Sequence, residues 1–204
     1  MVGILALQGG FARHAAVFSS LGEPVREVRT DTDLEGCDRL VLPGGESTVL
    51  TRLLMESGWE PGAPAQGSTL YRAIADFART EAVMGTCAGL IMLSQTCSDD
   101  RVVPFSVLPV TIRRNAYGRQ TESFVEPIHL APKIAGGDQS LFPATFIRAP
   151  RIEKTGLGVA ILAEADGHGL REPVLVAYKR LLGLTFHPEL NPEDTRIHRF
   201  FLDL

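Results

Sequence analysis

Three short segments of this chain set reactive side chains among glycines. The first, Gly85-Thr86-Cys87-Ala88-Gly89, lies between a short apolar run and a stretch of helical apolar spacing. In that strand-turn-helix setting, small flanking residues let a nucleophile sit on a strained elbow. Bulky side chains at Gly85 or Gly89 would clash where the turn crowds the strand end against the first helical turn. Cys87 would also open a helix, where the dipole and free N–H groups favour thiolate over thiol. An ordinary cysteine, with a pKa of about 8.5, is mostly protonated at neutral pH, so such a lowering serves a nucleophile. The competing interpretation is a buried core cysteine, and the Gly-x-Cys-x-Gly context argues against it.

A thiol nucleophile needs a base, and the base needs an orienting carboxylate. Thr185-Phe186-His187-Pro188-Glu189 offers both at the end of the last apolar run. His187 can take and return a proton, while Glu189, kept near by the rigid Pro188, can fix its tautomer. A His-Pro-Glu tripeptide alone also fits a surface turn. Its weight comes from sharing with Cys87 the C-terminal end of an expected strand, where open α/β sheets place their sites. The third segment, Leu42-Pro43-Gly44-Gly45-Glu46-Ser47, again follows an expected strand and precedes a helix. Its glycines free backbone N–H groups for close approach, and one of these could join that of Ala88 in an oxyanion hole. The plain alternative is a Gly-Gly turn, with Glu46 a solvated charge and Ser47 a helix cap.

These segments need elements to hold them. Runs rich in Val, Ile and Leu alternate with segments of helical period, the pattern of strands buried on both faces by crossover helices. Residues 1–7 read as a strand and 11–21 as a helix, with Phe11, Ala15 and Phe18 on one stripe and Gly22 as its stop. Strands follow at 25–28 and 39–42, helices at 47–57 and 70–79, then a strand at 82–84 and, past Cys87, a helix to about residue 95. In the second half Leu108, Val110 and Ile112 alternate, as do Phe124, Ile128 and Leu130, and further runs fall at 144–147, 158–163, 174–178 and 181–186. They are too closely spaced to have helices between them, so antiparallel additions and hairpins are expected. A last helix takes Asn191 as cap and Pro192 as first residue, and buries Ile197, Phe200, Phe201 and Leu204. The Pro/Gly-rich stretch 59–68 reads as a surface loop. The whole reads as one α/β domain over 1–204, a mostly parallel sheet flanked by helices, with antiparallel strands added in its second half.

Composition narrows the function classes. The chain has 204 residues, 45% hydrophobic and 22% charged, which suffices for a core and argues against disorder. Its 20 Lys+Arg against 24 Asp+Glu give no basic footprint for nucleic acid. No apolar run approaches the ~18 residues of a membrane helix, and no basic region precedes the short apolar start, so neither a membrane span nor a signal peptide is expected. Cys37, Cys87 and Cys97 are odd in number and never in CxxC spacing, which points away from a disulfide framework or cysteine zinc site and toward a reducing, cytoplasmic setting. No metal or cofactor is expected. Cys37 and Cys97 read as packing thiols and His129 as exposed. His14 reads as a structural histidine or a partner contact, and His168 and His198 receive no role.

In this order, LPGGEST, GTCAGL and FHPEL resemble the class I (triad) glutamine amidotransferases. The opening ILALQGG, the segment Arg114-Asn115-Ala116-Tyr117-Gly118-Arg119-Gln120 and Phe146-Ile147-Arg148-Ala149-Pro150 narrow the resemblance to the PdxT/SNO family, the glutaminase subunits of pyridoxal 5'-phosphate synthase. Matching segments run from Ile4 to about Leu190. The resemblance implies a flavodoxin-like three-layer fold and hydrolysis of L-glutamine to L-glutamate and ammonia through a cysteinyl thioester. It makes Cys87 the nucleophile, with His187 and Glu189 completing the triad. It puts Gly45, Glu46, Ser47, Arg114, Ile147 and Arg148 at the glutamine, and the N–H groups of Gly45 and Ala88 in the oxyanion hole. It also gives Gln8 a part in coupling the site to the partner, against a plain turn amide satisfying backbone.

Glutamine is a zwitterion with a neutral amide tail, and Arg114 or Arg148 together with Glu46 can meet its two charges. The implied partner is a barrel-shaped synthase subunit that combines the ammonia with a pentose phosphate and a triose phosphate. Two departures bear on that interface: Arg13-His14 stands where family members commonly carry Glu-His, and the stretch 59–69 is longer than in many relatives. Two rivals remain, a stand-alone elbow-type cysteine hydrolase and a non-catalytic scaffold subunit. The first lacks LPGGES and RNxxGRQ together, and the second would be free to lose any of Cys87, His187 and Glu189.

Overall fold

The computed structural model describes residues 1–56, 69–114, 123–167 and 170–204. Its first half is a succession of strand-helix units. Strands β1 (Val2–Leu5), β2 (Val25–Val28), β3 (Arg39–Leu42) and β4 (Ala82–Thr86) are connected through helices α1 (Phe11–Ser20), α2 (Ser47–Glu56) and α3 (Thr69–Thr80), with one 3-10 turn at Asp31–Leu34. Past Cys87, α4 (Ala88–Leu93) leads into β5 (Ser94–Cys97), β6 (Leu108–Arg113), β7 (Ser123–Ile128), the short α5 (Pro132–Ala135), β8 (Phe142–Ile147) and β9 (Arg151–Thr155). The chain finishes with β10 (Ala160–Gly167), β11 (Leu170–Tyr178), β12 (Leu181–Leu184) and α6 (Arg196–Leu202).

The central sheet has the order β10-β11-β12-β4-β3-β1-β2. The five strands from β12 to β2 are mutually parallel, and β11 and β10 extend the sheet as an antiparallel pair. The expected antiparallel additions also include β6 with β9 and β7 with β8. Each inner strand is apolar on both faces because each face meets a separate layer. Leu40 and Leu42 join Leu50, Leu54, Leu70, Ile74 and Leu90 under α2, α3 and α4. Val41, pointing the other way, joins Phe18, Phe142, Phe186, Ile197 and Phe201 under α1 and α6. A one-residue slip of β3 would exchange these sets, so the register is fixed from both sides. The order β2-β1-β3-β4-β12 reverses direction between β1 and β3, and such a switch point opens a crevice at the carboxyl ends of the strands.

The structure departs from the sequence expectations in four places. The helix after Cys87 ends at Leu93, because the returning chain takes its last carbonyls: Phe105 N–H donates to Met92 O at 2.7 Å and Val107 N–H to Leu93 O at 3.2 Å. Ser94 then turns extended and opens β5. Strand β9 gave no period to read, since Ile152 alone of its five residues is buried. The last helix starts at Arg196 rather than Pro192; Asn191 instead follows a 3-10 turn at Pro188–Leu190, and its carbonyl accepts from Asp194 N–H. The buried face of α1 is His14, Val17 and Phe18, with Phe11 and Ala15 only half-buried. His14 is therefore an interior residue, which excludes the surface partner contact.

Neither ring nitrogen of His198 finds a hydrogen bond among the described residues, and the ring is packed edge-on against Phe18. Burial, reinforced by neighbouring His14, pushes its pKa down to about 3. The unfolded chain takes a proton at about pH 6.5 that the folded chain refuses until about pH 3, so this group makes the fold less stable as the pH drops through that range. In His198→Leu this contribution disappears. Urea melts from pH 7 to pH 4 are expected to show a shallower acid decline for the variant than for the parent.

Candidate active site

Four strand ends build the crevice: Gln8-Gly9-Gly10 after β1, Gly44-Gly45-Glu46 after β3, Cys87 after β4 and His187 after β12. The elbow comes first, because its geometry is the least ordinary. Cys87 has φ 49° and ψ −101°, a conformation L side chains rarely adopt. The turn is enforced from both flanks. A Cβ on Gly89 would lie 1.9 Å from the Leu42 carbonyl oxygen, and one on Gly85 would lie 2.6 Å from the Gly89 carbonyl. The start of α4 thus rests directly on the backbone of β3 and β4, and Cys87 N–H is tied to Leu184 O at 2.8 Å. The thiol comes out beside the Ile147 carbonyl, 3.9 Å away, at the edge of the cleft.

His187 faces it from the opposite wall. Its backbone N–H donates to Thr145 O at 2.9 Å, which ties the segment after β12 to β8. Its Nδ1 lies 2.7 Å from Glu189 Oε1. A carboxylate only accepts, so Nδ1 carries the proton and Nε2 is left for the thiol. Burial works against a charged imidazole here, but hydrogen bonds and charge from Cys87 and Glu189 override it and raise the pKa of His187 to about 10. Glu189 is 3% exposed. Desolvation would raise its pKa, yet the two imidazoles of His14 and His187 hold it below the usual carboxylate range.

The wall across the cleft is made by the loop after β3. Both ends of the Gln8 amide bind the Glu46 backbone: Nε2 donates to the carbonyl at 2.7 Å, and Glu46 N–H donates to Oε1 at 3.2 Å. This is the turn amide satisfying backbone, and its close fit explains Gly45, where a Cβ would come within 2.9 Å of the amide. Glu46, not Ser47, caps α2, its Oε2 accepting from Val49 N–H at 2.8 Å and from the Thr48 hydroxyl. Burial opposes ionisation of Glu46, but these bonds and the Arg114 guanidinium keep its pKa low. Arg114 bridges Glu46 Oε1, at 2.6 Å, and Asp99. Ser47 is 2% exposed, lines the cleft, and its hydroxyl has no hydrogen-bond partner among the described residues.

A cleft of ≈ 320 Å³ runs between these walls and is bordered by Cys87, His187, Glu189, Gly45, Glu46, Ser47, Arg114, Ile147 and Arg148. Arg13 also lines it, from the exposed side of α1. Arg148 stands exposed at φ 43°, just past β8. Every sequence-selected residue except Gln8 and Ala88 therefore borders one cavity; Gln8 sits behind Gly45, and Ala88 is the first residue of α4 beside Cys87. Residues 115–120, 59–68 and His168 lie outside the described residues. Among the described residues no group of His, Cys, Asp and Glu is arranged to hold a metal ion, and no helix is long and apolar enough to cross a membrane.

A model of the SNO glutamine amidotransferase family matches residues 4–204. The chain belongs to this family. Two proteins named pyridoxal 5'-phosphate synthase subunit PdxT are similar to it over its whole length: one from Koribacter versatilis, 40% identical over 94% of that protein, and one from Deinococcus radiodurans, 42% identical over 96%. A crystal structure of a glutamine amidotransferase superposes with a TM-score of 0.82 at 36% identity, covering 99% of this chain and 97% of the other. The expected three-layer α/β fold is thus that of the SNO family.

Four residues close to the site escaped the sequence reading. His14 lies 3.3 Å from Glu189 Oε2, Thr86 lies 3.4 Å from the same His14 nitrogen, His198 packs behind His14, and Asp99 holds Arg114. A one-position shift of the α1 stripe would have flagged His14; nothing around Asp99 points to Arg114, which follows β6, 15 positions further along the chain.

Gly44 shows how little room His187 has. A Cβ there would lie 2.3 Å from His187 Cε1. Gly44→Ala is expected to push the imidazole out of line and reduce glutaminase turnover about 10²-fold, the scale of a displacement near 1 Å at a reacting group. Steady-state glutamate release, with circular dichroism as a check on folding, measures it.

Proposed function

We propose that this chain hydrolyses L-glutamine to L-glutamate and ammonia through a thioester on Cys87, and delivers the ammonia to the barrel subunit of a pyridoxal 5'-phosphate synthase. The observation that carries the reading is the pairing of His187 with Glu189 at 2.7 Å, opposite a thiol held on a positive-φ elbow in the same cleft. Family membership and the PdxT relatives supply the substrate and partner classes. The reading takes 1–204 as one amidotransferase domain, working in a reducing, cytoplasmic setting consistent with three free thiols.

In this reading Cys87 Sγ attacks the side-chain amide carbon, and the oxygen gathers negative charge opposite the N–H groups of Gly45 and Ala88. Two tethers support that placement, Gly10 N–H on the Gly44 carbonyl at 3.2 Å and the Gln8 amide on Glu46. His187, already cationic beside Cys87, gives its proton to the departing nitrogen; the C–N bond breaks, ammonia leaves, and a thioester remains. That thioester no longer carries the sulfur's charge, so His187 loses one of the two groups that raised its pKa. It then takes a proton from water, which attacks the thioester carbonyl, breaks the C–S bond and returns glutamate and the thiol.

Substrate recognition follows from which charges are already committed. Arg114 is spent on Glu46 and Asp99, so it orients Glu46 for the substrate ammonium. The substrate carboxylate falls to Arg148, with Ile147 lining the path and the unpartnered Ser47 hydroxyl as a further donor. Gln8 connects the turn after β1 to the glutamine-binding loop, and through it a partner docked beside that turn reaches the site.

Glutamate release is measured with and without the synthase subunit. Cys87→Ala is expected to lose at least about 10³-fold in turnover, and turnover at the parent rate in this variant would remove the thioester mechanism. Arg148→Ala is expected to raise KM about tenfold or more, the worth of one charged hydrogen bond, with a smaller effect on kcat.

A further inference from the structure

The triad of this chain has a fourth member on its buried side. Glu189 offers Oε1 to His187 Nδ1 at 2.7 Å, while Oε2 points inward and meets His14 Nε2 at 3.3 Å. Among the described residues Oε2 has no well-aligned hydrogen-bond partner, so its contact with His14 is one of charge and dipole at 3.3 Å and not a formed hydrogen bond. His14 is fully buried on α1, one turn beyond Gly10, and its Nε2 also lies 3.4 Å from Thr86 Oγ1, at the end of β4 and next to the nucleophile. The tautomer follows from these contacts. A proton on Nδ1 would leave a donor unpaired in the interior and turn a lone pair toward an anionic oxygen, so the proton belongs on Nε2. Burial, with His187 nearby, outweighs the pull of Glu189 and keeps His14 neutral. What it presents to the carboxylate is an N–H dipole and not a second positive charge.

We propose that His14 is a positioning residue for the glutaminase reaction: its Nε2–H holds Glu189 Oε2, so that the carboxylate stays ionised and its other oxygen stays on His187. A buried carboxylate with one oxygen unsupported has two ways out, to take up a proton or to rotate toward a donor, and either one weakens its hold on His187. Rotation is otherwise restrained on one side only, where the Gly10 backbone borders Oε1 so closely that a Cβ there would come within 3.2 Å of it. The groups facing the His187–Glu189 pair are Cys87 from the end of β4, His14 from α1 and, behind His14 with ring centroids 5.6 Å apart, His198 from α6. His14 does not line the cleft, so its influence is on the chemical step and not on glutamine binding.

The test rests on the glutaminase reading and uses the full chain with its synthase subunit. His14→Leu fills the space without a donor, His14→Gln returns an N–H near the position of Nε2, and His14→Asn is too short to do so. His14→Leu and His14→Asn are expected to lower kcat about 10–100-fold, the cost of losing an outer hydrogen-bond partner at comparably organised metal sites, with KM for glutamine within about twofold of the parent. Their pH–kcat profile narrows: Glu189 protonates at higher pH, and His187, with a weaker partner, loses its proton at lower pH. His14→Gln recovers most of the rate and the parental profile. If the leucine variant does not fold, the asparagine and glutamine pair decides by the same contrast. Equal losses in Gln and Asn, or an unshifted profile in all variants, overturn the proposal. A parent complex that releases no glutamate from glutamine sinks the glutaminase reading instead, whatever the variants do.

Discussion

The distance at which α4 lies against the central sheet governs the rest of this site. Three glycines set it. Gly89 rests on the Leu42 carbonyl, Gly85 on the Gly89 backbone, and Gly183 on Leu90, where a Cβ would come within 2.6 Å of Cδ1. With side chains at these places the helix would ride outward, and the chain leaving β4 would have room for a relaxed turn. Without them it must reverse within one residue, and that residue is Cys87 at φ 49°. Such a conformation costs of the order of 1–3 kcal/mol. Burial of Leu90, Met92 and Leu93 in α4 exceeds it, at about 1.5–3 kcal/mol for each large apolar side chain. The strain is localised at the sulfur-bearing residue because everything around it is too well packed to yield.

Once the elbow is set, the other strand ends add groups that are already committed to one another. Glu46 caps α2 with one oxygen and takes Arg114 with the other. The Gln8 amide fills both polar groups of the Glu46 backbone. Arg114 N–H is held by the Ser98 hydroxyl at 3.1 Å, while its guanidinium joins Asp99 to Glu46. Each bond fixes a side chain before any substrate arrives, so little reorganisation is left for the reaction itself. The exception is the Ser47 hydroxyl, buried on the cleft wall with no hydrogen-bond partner among the described residues. An unsatisfied donor at such a place is what a ligand oxygen completes.

What could be read from the sequence, and what could not, divides by range. Cys87, His187, Glu189 and the Gly44-Gly45-Glu46 loop were legible because each is announced by its own neighbours: glycines where the backbone must turn, and an apolar run just before. The parallel core was legible for the same reason, its strands being short and apolar between helical periods. The end of α4 was not, since the Leu93 to Ser94 break depends on carbonyls claimed by Phe105 and Val107 from a later segment. Strand β9 carries one buried residue in five and exists through pairing with β6. Asp99 and His14 act through partners 15 and 175 positions away in the chain, Arg114 and Glu189. His14 in particular occupies a helical position where an aliphatic side chain would pack as well, and only the carboxylate beside it distinguishes it from a core residue.

That carboxylate also explains why the histidines behind it have to be neutral. In the proposed cycle His187 serves as an acid when ammonia leaves and as a base when water attacks, and the change of role follows the conversion of the sulfur to a neutral thioester. For this to work the second anionic neighbour, Glu189, must be constant through the cycle. A cation at His14 would cancel much of the charge of Glu189 at 3.3 Å and loosen its hold on His187. A hydrophobic residue there would leave Oε2 bare and favour its protonation. A neutral imidazole in a dry interior avoids both, giving a fixed dipole whose charge does not follow the pH of the solvent. His198, buried behind it with its own pKa depressed to about 3, keeps that surrounding uncharged. On the proposed mechanism, the acid-linked loss of stability expected from His198 follows from holding the Glu189 carboxylate ionised deep inside the fold.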